Sequence, residues 1–188
     1  MSLHPLAGIL VVEAGDGLAL RLCGRLLADA GAEVVRAGKT PGPAATPSRD
    51  ALLDGPYGTD WIAFLDEGKQ VLPAPQAEGL LGEAWLLLSG LPHDAPLGCE
   101  AAVCVPFPYL ADVTPFGQDG PRAGQPGDDV VASALSGLAD ATPGYPDMQP
   151  SDREPPVQSL APLADAGAAV IAAAAVFGAL LARLRGLA

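Results

Sequence analysis

Residues 8–37, GILVVEAGDGLALRLCGRLLADAGAEVVRA, decide the fold. Gly8–Val12 is a continuous apolar run, the pattern of a strand buried on both faces of a parallel sheet. Glu13-Ala-Gly-Asp-Gly17 follows as a turn. From Leu18 to Ala30 the period changes: Ala19, Cys23, Leu26, Leu27 and Ala30 share one helical face, and Arg21, Arg25 and Asp29 another. Gly31 stands where a helix ends. Glu33–Ala37 (EVVRA) then predicts a second strand. Strand, helix and strand at this spacing form a βαβ unit, whose crossover is right-handed in a parallel sheet.

Working outward, residues 38–60 are rich in Pro, Gly, Thr and Asp and read as a long surface excursion. Trp61–Leu65 is a short apolar run, and Asp66-Glu-Gly-Lys-Gln70 a polar turn. Ala84–Leu88 (AWLLL), Ala101–Pro106 (AAVCVP) and Ala111–Thr114 predict further strands. Asp128–Leu138 predicts a helix, residues 141–158 a Pro-rich loop, and Ala164–Arg185 a long Ala-rich helix. No repeat and no linker divides the chain, so residues 1–188 read as one α/β domain. The expected architecture is a Rossmann-like, doubly wound, mainly parallel sheet with flanking helices, ending in the Ala-rich helix. Ligands in such sheets bind at the carboxyl ends of the strands, which makes Gly15–Gly17 and Thr114–Gly120 natural edges of a site.

The formal charge of −12, from 22 acidic and 10 basic side chains, excludes nucleic acid and anionic membrane surfaces as expected partners, since both need clustered Lys and Arg. Cys23, Cys99 and Cys104 make no CxxC pair and no metal-ligand spacing, so no metal site is expected. Their apolar surroundings suit buried thiols in a reducing cytoplasm. The N-terminus has no charged start and long apolar core, the signs of a secretory leader. Ala166–Ala182 is uncharged over seventeen residues, short of the ~20 a membrane span usually needs, and reads as a buried helix.

Gly15-Asp-Gly17 resembles a dinucleotide turn, but Leu20 stands where G-x-G-x-x-G requires its third glycine, and Asp16 would repel a pyrophosphate. A tight βα turn is the plainer reading. His4 and His93 lie in Pro-flanked loops with no nucleophile paired to them. Asp165 lies at the start of the final helix. It reads as an N-cap, accepting backbone N–H bonds at the positive end of the helix dipole. The same position suits an ionised carboxylate nucleophile. Asp128 and Asp129 read first as caps of their own helix.

Six motifs stand in order along the chain. Leu6–Glu13 resembles PLxGIxVVE. Gly24–Val35 is similar to GRLLADLGAEVVKVE, Gly68-Lys69 to NRGKRS, and Phe116–Pro121 to GFGQTGP. Gly127-Asp128-Asp129 with Ala134–Gly137 resembles GYDxxxQAxSG, and Leu163–Gly167 with Ala179–Arg183 resembles DxxxGxxAAxxxxAALxxR. As an ordered set they resemble the family III CoA-transferases, the CaiB/BaiF group of formyl-CoA and carnitine CoA-transferases and α-methylacyl-CoA racemases.

The resemblance implies that Asp165 is the nucleophile that attacks an acyl-CoA thioester and then carries CoA as an aspartyl thioester. It implies that Asp16, Gly17 and Leu18, with Lys39 and Lys69, grip the CoA nucleotide. Asp128 aligns with the racemase histidine, so a two-base racemase is not expected. Coenzyme A or acyl-CoA would be a substrate rather than a resident cofactor, a carboxylic acid the acceptor, and a homodimer or a complementing second chain the assembly. The family's small domain and C-terminal return are absent from residues 1–188, Gly38 replaces the acid of VKVE, and ENFRPG is reduced to Leu88–Pro92. These departures leave a second reading open: a non-catalytic protein of the same fold that binds CoA or a partner. A third is an unrelated α/β domain in which Asp165 is only a cap.

Overall fold

The computed structural model describes residues 4–38, 56, 58–90, 109–142, 159 and 161–187. Strand β1 (Leu10–Ala14) is followed by helix α1 (Leu18–Asp29) and strand β2 (Glu33–Gly38), the βαβ unit the sequence predicts. Helix α2 (Gly58–Asp66), strand β3 (Lys69–Pro73), the short helix α3 (Ala74–Glu78), and strands β4 (Leu86–Ser89) and β5 (Tyr109–Asp112) follow. Helices α4 (Asp129–Leu135), α5 (Leu138–Ala141) and α6 (Leu163–Leu184) complete the described chain. The strands form one sheet in the order β3-β2-β1-β4-β5, with every neighbouring pair parallel. The fold is a Rossmann-like doubly wound α/β sheet with flanking helices.

Strand alternation sorts the core into two layers. On one face Val11, Val34, Leu86 and Leu88 pack with Leu20, Cys23 and Leu27 of α1 and with Ala169, Ala173 and Val176 of α6. The last three recur at helical spacing, so one stripe of α6 is buried while Val170, Ile171 and Leu184 stay exposed. On the other face Val12, Ala14, Val35 and Leu87 pack with Ala77 of α3 and with Leu81 and Ala84. Each fully buried Leu or Val contributes about 1.5–3 kcal/mol of burial. Helix α6 is long and apolar enough to cross a membrane by length and composition alone, but its buried stripe belongs to the core beside α1.

Strand order reverses between β1 and β4, the place where such sheets open a ligand crevice. Their carboxyl ends come very close. The Gly90 N–H donates to the Ala14 carbonyl at 2.8 Å, and a Cβ on Gly15 would lie 3.1 Å from the Gly90 Cα.

The structure departs from the sequence reading at particular elements. Trp61–Leu65 lies inside α2, because a five-residue apolar run is too short to separate helix from strand. Strand β3 begins within the stretch Asp66–Gln70 read as a polar turn, and helix α3 lies on residues for which the sequence reading names no element. Strand β3 is a sheet edge, begins with Lys69 and Gln70, and ends at Pro73, so it has no alternating signature. Strand β1 starts two residues later than the apolar run, and β5 two residues earlier than predicted. The predicted helix over 128–138 breaks at Gly137 into α4 and α5. The predicted strand Ala101–Pro106 and most of the two predicted loops lie outside the described residues.

Candidate functional site

The structure assembles the predicted residues in two groups. The first surrounds Asp165. Helix α6 begins at Leu163, its cap position is Pro162, and no side chain of its own caps it. Asp165 is therefore the third residue of the first turn rather than the N-cap. Its backbone N–H donates to Asp129 Oδ1 at 3.0 Å. Asp129 comes from α4, is buried, and its Oδ2 lies 3.4 Å from the Ser133 hydroxyl that donates to it. A carboxylate from a neighbouring helix thus satisfies one of the open N–H groups at the start of α6, where negative charge suits the helix dipole. Asp165 itself is half-buried.

Asp128 plays the cap role that the sequence suggests for it. Its Oδ1 accepts the Val131 N–H at 3.0 Å, closing the N-terminus of α4. Of the adjacent aspartates, Asp128 therefore serves its own helix and Asp129 serves α6. The importance of Asp129 is hidden in sequence, because 36 residues separate it from Asp165.

The second group lies at the β1–α1 turn and beneath it. Gly15 and Gly17 have φ of +118° and +131°, conformations open to glycine and costly to other residues. They flank Asp16. Leu18, the first residue of α1, is buried in a small apolar cluster with Leu65. Its side chain therefore packs beneath the turn.

Under this turn three carboxylates and three cations form one cluster. The side chains of Glu13 and Lys69 are both fully buried, with Lys69 Nζ 2.7 Å from Glu13 Oε2. The Lys69 ammonium also donates to the Arg21 carbonyl at 2.7 Å. Arg36, the register partner of Glu13 on β2, places Nε 3.3 Å from Glu13 Oε1. That is an ion pair without hydrogen-bond geometry. Arg21 Nη1 pairs with Asp66 Oδ2 at 2.8 Å. Both guanidiniums reach Asp16: Arg36 Nη2 at 3.1 Å and Arg21 Nη2 at 3.5 Å from the same Oδ1.

Burial pushes the Glu13 carboxyl up and the Lys69 ammonium down from their ordinary values, against their mutual attraction. Glycine at position 24 makes the packing possible. A Cβ there would overlap Glu13 Oε2 and lie 2.9 Å from Lys69 Nζ. The Cys23 thiol, in the same layer, is pushed up by burial to about 12.

This geometry alters two expectations. Arg21, assigned by periodicity to the polar face of α1, is buried, because its charge is met by Asp66 and Asp16. Lys69, expected to grip a nucleotide, instead has its ammonium wholly enclosed between Glu13 and the Arg21 carbonyl. An ammonium so enclosed cannot reach a phosphate without leaving both partners. Lys39 lies outside the described residues. Among the described residues no group of three or more His, Cys, Asp or Glu could hold a metal ion.

Residues 109–186 match the family described as CoA-transferase family III. That segment runs from β5 to the end of α6 and includes Asp128, Asp129 and Asp165. No curated protein matches the chain. Among solved structures, the chain is similar to a hypothetical protein, Rv3272, from Mycobacterium tuberculosis at 25% identity and a TM-score of 0.73, covering 96% of this chain and 51% of that one. An orthorhombic form of the same protein gives a TM-score of 0.74. A CaiB/BaiF family protein from Brucella suis shares the fold at 23% identity and a TM-score of 0.68, covering 97% of this chain and 50% of that one. The chain therefore spans about half the length of the solved structures it matches. Residues 109–186 are thus similar to CoA-transferase family III, and the fold is shared with the solved structures over nearly the whole chain.

Proposed function

We propose that this chain moves CoA between an acyl-CoA and a carboxylic acid, with Asp165 as the nucleophile. The observation that carries the reading is the placement of Asp165. It lies in the first turn of α6, half-buried, with its backbone fixed by the buried Asp129 carboxylate. Fixing the backbone of a nucleophile holds its attack geometry.

In this reading an Asp165 carboxylate oxygen attacks the thioester carbonyl carbon. The C–S bond breaks, the electron pair leaves with the CoA thiolate, and an acyl–aspartyl anhydride remains. The thiolate then attacks the Asp165 carbonyl of the anhydride and expels the acyl group as a carboxylate, giving an aspartyl–CoA thioester. The acceptor carboxylate attacks the aspartyl carbonyl of that thioester, the C–S bond breaks to release CoA thiolate, and a second anhydride forms. The thiolate then attacks the acceptor's acyl carbon of this anhydride, giving the new acyl-CoA and expelling Asp165 as its carboxylate. The charges and groups balance without metal or redox cofactor, and CoA enters and leaves as substrate. Asp16, Gly17, Leu18 and Lys39 are proposed to line the nucleotide end, with the Lys69 ammonium acting from beneath the turn, and Asp128 lies one residue before the Asp129 support. The proposed setting is cytoplasmic.

Partnership with a second copy or a complementing chain is part of this reading, and the exposed apolar side chains of α6, Ile171 at 72% and Leu184 at 76%, would suit such a contact. The second reading is a non-catalytic CoA-binding protein of the same fold.

Incubation with an acyl-CoA followed by peptide mass spectrometry tests the proposal. The expected result is a CoA-derived mass on the Asp165 peptide, absent from Asp165→Ala. CoA binding by calorimetry without that adduct would favour the non-catalytic reading. Neither binding nor adduct, with the chain alone or with its isolated partner, would overturn both.

A further inference from the structure

We propose that Arg36 and Arg21 are positioning residues for the β1–α1 turn. By holding the Asp16 carboxylate from below they set the conformation of Asp16–Leu18, and with it the affinity of that turn for CoA. The inference rests on the CoA reading above and adds to it the element that shapes the nucleotide site.

The turn has little shape of its own. Asp16 lies between two glycines at positive φ, which restrict the backbone least of all residues. Helix α1 starts without a side-chain cap, so that common restraint is missing too. Gly15 packs against Gly90 and Leu18 is buried at either end of the turn; between them, the Asp16 carboxylate is gripped at one oxygen by Arg36 and Arg21.

Those guanidiniums are themselves fixed. Arg36 stands beside Glu13, which Lys69 holds at 2.7 Å. Arg21 is held by Asp66 at 2.8 Å, and its carbonyl accepts from Lys69. The cluster therefore spans β1, β2, β3, α1 and the end of α2, and ties the turn to the rigid sheet. The Asp16 side chain is 38% exposed, while the others are 15% exposed or less, so it is the one member at the surface where a ligand meets the cluster.

The same contacts remove an objection raised by the sequence. A bare carboxylate in this turn would repel a phosphate. Here its charge is offset by two guanidiniums, and the local charge at the mouth of the turn is not that of a free acid.

The test uses the full chain as Asp16→Asn, Arg36→Met and Arg36→Lys, with two readouts taken well below each variant's melting temperature. Calorimetry gives Kd for CoA, and hydrogen exchange reports on the amides of residues 17–20. Asp16→Asn and Arg36→Met should each raise Kd about tenfold, the order of loss expected when a preorganised site must be ordered on binding. Amides 17–20 should exchange faster in both variants, and Arg36→Lys should recover part of each effect. A lower melting temperature with Kd and exchange unchanged would make the arginines merely structural and overturn the proposal. Tighter CoA binding by Asp16→Asn would also overturn it, because Asp16 would then act by repulsion. If the unaltered protein binds no CoA, the CoA reading fails, and with it the claim on affinity. Exchange at 17–20 then still decides whether the arginines fix the turn.

Discussion

Lysine 69 offers the most direct measurement of what the buried cluster is worth. Its ammonium is enclosed, with Glu13 Oε2 and the Arg21 carbonyl each at 2.7 Å. Lys69→Met keeps most of the side-chain volume and removes the charge. Glu13 is then left fully buried, with Arg36 Nε at 3.3 Å as its nearest cation in poor hydrogen-bond geometry. Removing one partner of a buried pair costs about 3–5 kcal/mol. A domain's entire stability is about 5–15 kcal/mol. The urea midpoint should therefore fall by about 2 M, taking about 2 kcal/mol per molar for the slope.

The loss should depend on pH in a defined sense. Burial already raises the Glu13 carboxyl above its ordinary 4.5, and losing Lys69 raises it further. A carboxyl whose folded value is raised contributes stability below the unfolded value and loses it as pH rises through the folded one. The penalty of Lys69→Met should therefore be largest at pH 8 and shrink toward pH 5. The double variant Lys69→Met, Glu13→Gln should regain much of the loss, because no buried charge is then stranded. Urea unfolding followed by circular dichroism at both pH values measures all three chains. A penalty below about 1 kcal/mol, no change with pH, or no recovery in the double variant would refute this account of the cluster.

Three further outcomes are expected. The Cys23 thiol, raised by burial from 9.0 to about 12, should resist iodoacetamide at pH 8 in the folded protein and react in denaturant, as peptide mapping would show. Its stabilising contribution is complete below 9.0 and should decline by about 1.4 kcal/mol per pH unit from there up to its folded value, a slope that Cys23→Ala should lack in alkaline urea titrations. Asp129→Ala should cost about 1–3 kcal/mol by stranding the Asp165 N–H and should slow formation of the Asp165 adduct. Asp129→Asn keeps an acceptor there and should stay close to the parent in thermal melts. Gly17→Ala, at φ +131°, should lower stability by about 1–3 kcal/mol, and an unchanged melting temperature would show that the turn can adopt another conformation.

The sheet was legible wherever burial was two-sided or periodicity long. The run Gly8–Val12, the amphipathic stretch 18–30 and AWLLL at 84–88 each announce an element, since continuous apolar strands and helical stripes are what a doubly wound core demands. Strand β3 was not legible, because an edge strand that opens on Lys69-Gln70 to feed an ion cluster has the composition of a turn. The candidate site was legible at Asp165 and at Gly15–Gly17. Both lie where chain direction changes, and glycine or a helix start marks the spot. The support for each was hidden. Asp129 and Asp165 meet only through packing of α4 on α6, and Arg21 lies on the charged side of its helix in any periodicity plot. Charges buried in mutual pairs look, in sequence, like charges facing water.

Glycine 24 carries a consequence for descent. In the middle of α1 it occupies a position where alanine would favour the helix by about 1 kcal/mol, yet the space a methyl group would need is taken by the Glu13 carboxylate and the Lys69 ammonium. Positions 13, 24 and 69 are therefore expected to vary together. A side chain at 24 requires the Glu13 carboxylate to leave the place it now fills, and the enclosure of Lys69 changes with it. Across aligned relatives these columns should change together or not at all, and a sequence with alanine at 24 beside an intact Glu13 and Lys69 should be rare.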